Sequence, residues 1–187
     1  MSSEIQPDPP PVLISADRVQ ARITELARAI EKDYADAEQL VCIGILKGAV
    51  FFMVDLLKQV HLPLAVDFFQ TSSYRGGQGP GEIRIRKDIE ILIRDKDVLL
   101  IEDIVDTGYT LRTILDLFRF RGARTVRLCA LLDKTDRREV DIEIHYRGFE
   151  IENVFVVGYG LDIEERWRNL DYIGVVEPVV STTGSTS

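Results

Sequence analysis

The chain alternates short, continuous apolar runs with amphipathic stretches of helical length, and this pattern limits its fold more than any other feature. Val98–Ile101 and Val126–Leu132 are almost wholly apolar, as strands are when both faces of a sheet are buried. Between them, Thr110–Arg121 has helical spacing and stops at Gly122. The succession of strand, helix and strand predicts an α/β fold whose central, mostly parallel sheet is flanked by helices.

Further elements extend this alternation on both sides. Helical spacing of apolar residues predicts helices at Ala16–Tyr34 and Ala49–Val60. The other predicted strands are Leu40–Leu46, Leu64–Tyr74, Glu82–Lys87, Ile142–Tyr146, Val154–Val157 and Ile173–Val176. Residues 1–11 and 181–187 show no apolar periodicity, so we expect flexible tails around a single domain at residues 12–180.

The composition of the 187 residues excludes several classes of protein. A net charge of −8 argues against a nucleic-acid partner, because a nucleic-acid-binding face should be basic. No apolar run approaches the roughly 20 residues of a membrane span, and no secretion signal is visible, so a cytoplasmic protein is expected. Cys42 and Cys129 lie in apolar runs and are interpreted as buried thiols in strands, not as a disulfide or zinc framework.

Residues 98–110 carry the strongest chemical signal in the chain. A buried strand leads into Glu102 and Asp103, and then into a turn at residues 106–110 that opens a helix. Ligands of open α/β sheets bind beyond the carboxyl ends of strands. Unpaired N–H groups at the helix start, threonine hydroxyls and the close approach that Gly108 permits can together hold a phosphate. The Gly-Lys-Ser/Thr triplet of a Walker loop is absent, which argues against ATP hydrolysis by that route.

The two acids need partners other than the phosphate, which they would repel. Ribose hydroxyls, bound directly or through Mg²⁺, are the natural partners of Glu102 and Asp103. Taken singly, each acid has a simpler structural explanation. Glu102 and Asp103 could be solvated acids at the end of a strand, and Asp106 could cap the helix. The occurrence of all these residues together, directly after a buried strand, favours a site that binds a sugar phosphate.

The string at residues 98–110 resembles the phosphoribosyl diphosphate (PRPP) signature of type I phosphoribosyltransferases. It has four apolar residues, two acids, two apolar residues, Asp-Thr-Gly and then Thr. Four other segments, in order, are similar to hypoxanthine-guanine phosphoribosyltransferases: Leu46–Ala49, Ser72–Tyr74, Leu132–Lys134 and Phe155–Asp162. The resemblance covers roughly residues 12–178. It implies the type I phosphoribosyltransferase fold, with a small hood formed by terminal segments.

The resemblance also implies an activity. Enzymes of this family transfer the phosphoribosyl group from PRPP to hypoxanthine or guanine, with Mg²⁺, and release pyrophosphate with IMP or GMP. It assigns Glu102 and Asp103 to the ribose and the metal, and Asp106 to the role of general base near purine N7. The implied 5′-phosphate loop is Asp106, Thr107, Gly108, Tyr109 and Thr110. Tyr109 stands where some members of the family carry lysine.

The pyrophosphate is implied to bind Lys47, Gly48 and Arg168. In the family, the loop that contains Lys47 includes a non-proline cis peptide. Arginine suits this task because its planar fork binds two phosphate oxygens at once. Ser73 and Tyr74 resemble the start of a mobile loop, at about residues 73–83, that closes over the reacting centre.

The implied purine site comprises Lys134, Phe155, Val156 and Asp162. Lys134 would donate to the 6-oxo group, Phe155 would stack on the base, and the backbone of Val156 would read its edge. Asp162 is in addition an implied metal ligand. Because a lysine only donates, Lys134 favours hypoxanthine and guanine over adenine.

Two alternatives remain open at this point. Some proteins on the same fold are PRPP-sensing regulators that bind nucleic acid, and other transferases of the family prefer xanthine. The windows richest in basic residues, Arg84–Lys87 and Arg119–Arg127, are short, which disfavours the regulator. The family commonly forms homodimers or homotetramers, so a homo-oligomer without a membrane partner is expected.

Overall fold

The structure is a computed structural model that describes residues 8–73 and 83–176. The described helices are α1 (Ala16–Asp33), α2 (Ala49–Leu57), α3 (Tyr109–Phe120) and a 3₁₀ helix at Thr135–Arg137. The described strands are β1 (Val12–Ile14), β2 (Leu40–Ile45), β3 (Leu64–Ser73), β4 (Ile83–Lys87), β5 (Asp97–Val105), β6 (Thr125–Asp133), β7 (Tyr146–Glu150), β8 (Phe155–Val157) and β9 (Ile173–Val176).

A six-stranded sheet forms the centre of the molecule, in the order β4-β3-β2-β5-β6-β7. Each neighbouring pair from β3 to β7 is parallel, and β4 joins the edge antiparallel to β3. The predicted mostly parallel sheet is therefore confirmed. Parallel pairing places the carboxyl ends of β2, β5 and β6 at one edge, and the loops that follow these strands meet there.

Both faces of this sheet are buried, which explains the continuous apolar runs of the sequence. Leu99 and Ile101 of β5 pack into one core beside α1 and α2. Val98 and Leu100, which alternate with them, pack into a second core beside α3. Cys42 and Cys129 lie wholly inside the first core, so the interpretation of buried thiols is confirmed.

A second, three-stranded sheet brings the two ends of the domain together. Its order is β1-β9-β8, and both strand pairs are antiparallel. The backbone of Pro11 accepts a hydrogen bond from Val175 N–H at 2.9 Å, and the Tyr172 hydroxyl donates to Pro10 O at 2.9 Å. This sheet corresponds to the expected hood. Pro10 and Pro11 are hydrogen-bonded to this sheet. Both fall within the flexible tail that was expected at residues 1–11, so for these two residues that expectation is not met.

Two differences between the predicted and the observed elements bear on the site. The strand predicted at Val98–Ile101 continues to Val105, so Glu102 and Asp103 lie within β5 and do not follow it. The strand predicted at Ile142–Tyr146 is wrong, because the observed strand runs from Tyr146 to Glu150. Ile142 instead lies in the preceding loop, where its buried side chain packs beside Gly108.

In the described ranges, no helix has the length and apolar character needed to cross a membrane. The predicted tail at residues 181–187 and the loop residue Tyr74 lie outside the described residues.

Candidate active site

The turn between β5 and α3 borders a small open cavity of about 180 Å³. It is lined by Ile45, Glu102, Ile104, Asp106, Thr107, Gly108, Thr110 and Leu111. The α3 helix begins at this cavity, and the first N–H groups of a helix have no partner within the helix. A cavity of this size, with a helix N-terminus and two threonines, suits one phosphate group.

Gly108 gives the turn its shape. Its φ is 92°, a left-handed conformation that glycine adopts without steric cost. A Cβ atom at this position would lie 2.8 Å from Cδ1 of Ile142. The Thr107 carbonyl accepts hydrogen bonds from the N–H groups of Glu139 and Val140, at 3.0 and 3.2 Å. The loop at residues 139–142 thus packs against this turn, and of its residues only Ile142 belongs to the segment that was predicted to be a strand.

Glu102 lines this cavity, and Asp103 follows it in β5. Burial and the neighbouring charge of Asp103 raise the pKa of the Glu102 carboxyl well above its usual range. Two adjacent acids in such an environment favour a partner that offers positive charge or hydroxyl donors. Asp103 lies on the side of Gly48, where a Cβ atom would be 1.5 Å from its Oδ2.

The loop after β2 approaches the loop after β8 at Gly48. The peptide between Leu46 and Lys47 is cis. A Cβ atom on Gly160 would lie 2.0 Å from the Gly48 carbonyl oxygen, and Gly160 has a φ of 101°. Gly48 is thus enclosed by Asp103 on one side and Gly160 on the other. Only residues without side chains permit this close approach of the two loops.

Lys47 and Arg168, the two predicted pyrophosphate ligands, lie together at this junction. The Glu165 carboxylate bridges them, with Oε1 2.8 Å from Lys47 Nζ and Oε2 3.2 Å from Arg168 Nε. Hydrogen bonds from these two cations lower the pKa of the Glu165 carboxyl. Arg168 also donates to Asp162 Oδ1 and to the Gly160 carbonyl, each at 2.7 Å.

A larger cavity of about 480 Å³ lies on the other side of Asp106. It is lined by Asp106, Lys134, Arg137, Asn153, Val154, Phe155, Val175 and Val176. Its volume falls within the roughly 300–1,000 Å³ of small-molecule pockets. Phe155 lines this cavity and is 47% exposed, so it is not part of the core. A planar base fits such a site.

Lys134 lies at the wall of the larger cavity and is only 7% exposed. Its backbone N–H donates to Val105 O at 2.9 Å. The Nζ atom has no hydrogen bond or ion pair with any residue in the described part of the chain. An ammonium group that reaches a cavity wall from a largely buried lysine, without a protein partner, points to a ligand that offers an acceptor.

Asp106 lies between the two cavities. Of the described residues, it alone lines both. Its Oδ1 accepts a hydrogen bond from Nε of Arg137 at 3.0 Å. A ligand that extends from the phosphate cavity to the larger cavity must pass this carboxylate.

Several predicted site residues lie elsewhere or contribute differently. The Tyr109 hydroxyl is 3.4 Å from Glu139 Oε2, so its side chain does not line the phosphate cavity. The side chain of Val156 is buried in the core, and the residue pairs with Val175, so its backbone contact with the base stays a prediction. Asp162 contacts Arg168 and lines neither cavity. Ser73 ends β3 and pairs with Ile83 across the hairpin.

The site also contains two residues that sequence reasoning missed. Arg137 and Glu165 were not singled out, although each forms an ion pair with a predicted site residue. Both stand in runs of mixed charge, at residues 136–139 and 162–168, where a solvated surface is the default interpretation. Only the three-dimensional contacts distinguish these two from their neighbours.

The acidic residues of the site indicate which kind of metal site it could form. Within the described ranges, no three acidic, histidine or cysteine side chains converge on one point. A cation held by protein ligands alone is therefore disfavoured. One or two carboxylates beside a phosphate site do fit Mg²⁺, which usually keeps several waters and binds substrate phosphates.

These features, together with a match to a known domain, define the class of the protein. The phosphoribosyl transferase domain matches residues 15–164. The chain belongs to that family.

Individual members of the family are similar to this chain over most of its length. Hypoxanthine-guanine phosphoribosyltransferase of Bacillus subtilis is 45% identical over 170 residues, which cover 90% of this chain and 94% of that protein. The bifunctional protein TilS/HprT of Listeria monocytogenes is 49% identical over 170 residues, and the chain spans 26% of its length.

Solved structures agree with the fold. A hypoxanthine phosphoribosyltransferase of Staphylococcus aureus has a TM-score of 0.86 and 46% identity, covering 91% of this chain and 93% of that one. The Trypanosoma cruzi hypoxanthine phosphoribosyltransferase in complex with its product IMP has a TM-score of 0.86 and 34% identity, covering 90% and 95%. The expected type I phosphoribosyltransferase fold is therefore confirmed.

Proposed function

We propose that this chain transfers the 5-phosphoribosyl group of PRPP to hypoxanthine or guanine, giving IMP or GMP and pyrophosphate. The arrangement around Asp106 supports this proposal best. A phosphate-sized cavity lies on one side of that carboxylate, and a base-sized cavity with a buried lysine and an exposed aromatic lies on the other. Relatives named for this reaction match nearly the whole chain.

The phosphate cavity fixes one end of the substrate. The N–H groups at the start of α3 and the hydroxyls of Thr107 and Thr110 hold the 5′-phosphate. Glu102 and Asp103 bind the ribose hydroxyls and, with Asp162 as a further candidate ligand, Mg²⁺. When bound, Mg²⁺ neutralises charge on the diphosphate.

Lys47 and Arg168 bind the diphosphate at the other end. The close packing of Gly48 against Asp103 holds the loop of Lys47 beside the acid pair. Cations in this position stabilise the negative charge that develops on the leaving pyrophosphate. The two ends of the substrate are thereby fixed around the anomeric carbon.

The chemical step takes place beside Asp106. The bond from the anomeric carbon to the diphosphate oxygen breaks, and its electron pair leaves with pyrophosphate. A bond forms from the purine nitrogen to that carbon, and Asp106 accepts the proton released at N7. The same carboxylate stabilises positive charge that develops on the ribose ring.

The larger cavity selects the base. Lys134 donates to a 6-oxo group, and Phe155 stacks on the ring. Adenine carries a donor at that position and leaves the ammonium group of this largely buried lysine without an acceptor once the base covers it, which is costly.

Product analysis tests the proposal. The protein is mixed with PRPP, Mg²⁺ and either hypoxanthine or guanine, and nucleotide and pyrophosphate are quantified. We expect the two products in equal amounts, and none when the metal is chelated. Absence of product with both bases would refute the activity, and tight binding of PRPP without metal would refute the role of Mg²⁺.

The alternative of a nucleic-acid-binding regulator receives little support from the basic windows. Lys87, Arg119, Arg121, Arg124 and Arg127 each form an ion pair with an aspartate, so their charge is largely compensated. We propose a cytoplasmic enzyme with small-molecule substrates, which forms a homodimer or homotetramer like others of its family. Salt-dependent retention of RNA or DNA would argue for the regulator.

A further inference from the structure

The Glu165 carboxylate lies where the proposed function requires an anion. It contacts Lys47 through one oxygen at 2.8 Å and Arg168 through the other at 3.2 Å. These two side chains belong to different loops, after β2 and after β8, and the carboxylate is the group that connects their charges. A phosphate group offers the same features, two oxygens with negative charge that accept from two cations.

The loop at residues 160–168 holds Glu165 in this position. Its backbone N–H donates to Asp162 Oδ2 at 2.8 Å. Glu165 has a φ of 63°, and Glu164 and Trp167 also have positive φ values, which non-glycine residues adopt rarely. The Gly160 N–H donates to Arg168 O at 2.9 Å and closes the loop. The carboxylate is therefore presented to the two cations by a backbone arrangement that hydrogen bonds maintain.

The contact is nevertheless open to competition. Lys47 is 57% exposed and Glu165 is 64% exposed at the side chain, so solvent reaches the pair. Exposed ion pairs are weak, because both groups are well hydrated when apart. A diphosphate with several charges competes effectively for the same cations.

We propose that Glu165 occupies the pyrophosphate position in the ligand-free protein and thereby sets the affinity for PRPP and for pyrophosphate. This inference rests on the proposed function, since it takes Lys47 and Arg168 to be diphosphate ligands. Glu165 acts through these two cations and is a positioning residue. Binding of diphosphate separates its carboxylate from both, and return of the carboxylate favours release of the pyrophosphate product.

The test compares Glu165→Gln with Glu164→Gln in the full chain. The amide of Glu165→Gln keeps the shape of the side chain and removes its charge. Glu164 lies in the same loop and pairs with Arg166 at 2.7 Å, away from Lys47 and Arg168, so its variant is a matched control. Dissociation constants of inorganic pyrophosphate with Mg²⁺ are measured by calorimetry, and KM for PRPP and for hypoxanthine by initial rates.

We expect Glu165→Gln to bind pyrophosphate about 2- to 20-fold more tightly, as loss of two ion pairs from an exposed carboxylate predicts. KM for PRPP falls by a similar factor, KM for hypoxanthine does not change, and Glu164→Gln resembles the wild type in each measurement. If Glu165→Gln binds pyrophosphate as the wild type does, or more weakly, the inference is overturned.

A second variant keeps the test valid if Glu165→Gln is misfolded. Glu165→Asp retains the charge but is one methylene shorter, so it does not reach both cations, and its affinity should be intermediate. An affinity of Glu165→Asp equal to that of the wild type would count against the inference. The proposed function fails separately, through absence of nucleotide product in the wild type.

Discussion

At the scale of single residues, the chemistry depends on where three side chains stand relative to two cavities. Asp106 borders both cavities, Lys134 is buried at the wall of the larger one, and Phe155 exposes its ring there. Each of these positions places one functional group at one part of the proposed substrate. Replacement of a single group should therefore affect one step or one specificity.

Asp106→Asn tests proton transfer. The amide keeps the size of the carboxylate but accepts a proton poorly, so we expect kcat to fall by about 10²- to 10⁴-fold. PRPP binding should remain largely intact, because the backbone of the turn holds the phosphate. Steady-state kinetics and calorimetry with PRPP measure the two effects. Unchanged turnover would remove Asp106 from the role of general base.

Lys134→Met tests the choice of base. The thioether fills much of the volume of lysine without a donor, so the 6-oxo group of hypoxanthine loses its partner. We expect kcat/KM for hypoxanthine to fall by about 5- to 150-fold, as loss of a buried hydrogen bond predicts. KM for PRPP should change little. Equal activity of the variant and the wild type towards hypoxanthine would contradict the assigned role.

At the scale of elements, the site depends on close approach between loops that follow different strands. The loop after β2 meets β5 at Gly48 and Asp103, and meets the loop after β8 at Gly160. Parallel pairing of β2 with β5 aligns their carboxyl ends and fixes the first contact, whereas the loop after β8 comes from the second, antiparallel sheet. A change at such a contact should alter the site without removing a functional group.

Gly48→Ala tests this approach. The φ of Gly48 is −61°, which alanine adopts readily, so the backbone does not oppose the change. The new Cβ would lie 1.5 Å from Asp103 Oδ2, and the loop or the acid must move. A displacement of about 1 Å in a reacting site costs on the order of 100-fold, and we expect such a loss in kcat/KM for PRPP.

A double-mutant cycle for thermal stability gives the control for Gly48→Ala. In the background of Asp103→Ala, the clashing atoms are absent, and the alanine at position 48 should no longer destabilise the fold. Additive effects of the two substitutions would contradict the steric explanation.

Asp97→Asn tests an ion pair at the start of β5. Asp97 accepts from Arg124 Nε at 3.0 Å and from the Thr125 hydroxyl at 2.8 Å, and the bond from Arg124 lowers the pKa of its carboxyl. The charged form is thus favoured by folding. Its stabilising effect is complete above the unfolded pKa of about 3.9 and is lost as pH falls through the lowered folded value.

Chemical denaturation between pH 2 and 7 measures this effect. The wild type should lose stability on the acid side more steeply than Asp97→Asn. Asp116→Asn, which removes an exposed pair with Arg119 on α3, should follow the wild type closely. If the free energy of unfolding falls equally steeply with decreasing pH in the wild type and in Asp97→Asn, the pair has no role in stability at acid pH.

At the scale of the whole molecule, a net charge of −8 first suggests a poor match to a substrate with several phosphates. The proposed site resolves this, because it holds phosphate with helix N–H groups, with Mg²⁺ and with two cations, Lys47 and Arg168. One of its acids, Glu165, already compensates those cations in the ligand-free structure.

Most of the fold follows from the sequence, because buried strands and amphipathic helices have distinct patterns. The strand predicted at Ile142–Tyr146 fails because Ile142 and Ile144 alternate with charges as in a strand, although Ile142 is buried beside Gly108 in a loop. Site residues that belong to a motif, such as Asp106 and Lys134, can be identified from the sequence. Arg137 and Glu165 were not identified, since the contacts that bring them to the site, with Asp106 and Lys47, join residues 31 and 118 positions apart, and the local pair of Glu165 with Arg168 resembles an ordinary surface pair.

A competition among bases tests the central claim most directly. The wild-type protein is given PRPP and Mg²⁺ with hypoxanthine, guanine, xanthine and adenine in equal amounts, and the nucleotides are separated and quantified. We predict that IMP and GMP form with stoichiometric pyrophosphate and that AMP does not. A product dominated by the xanthine nucleotide would identify the xanthine-preferring alternative, and formation of neither IMP nor GMP would contradict the proposed function.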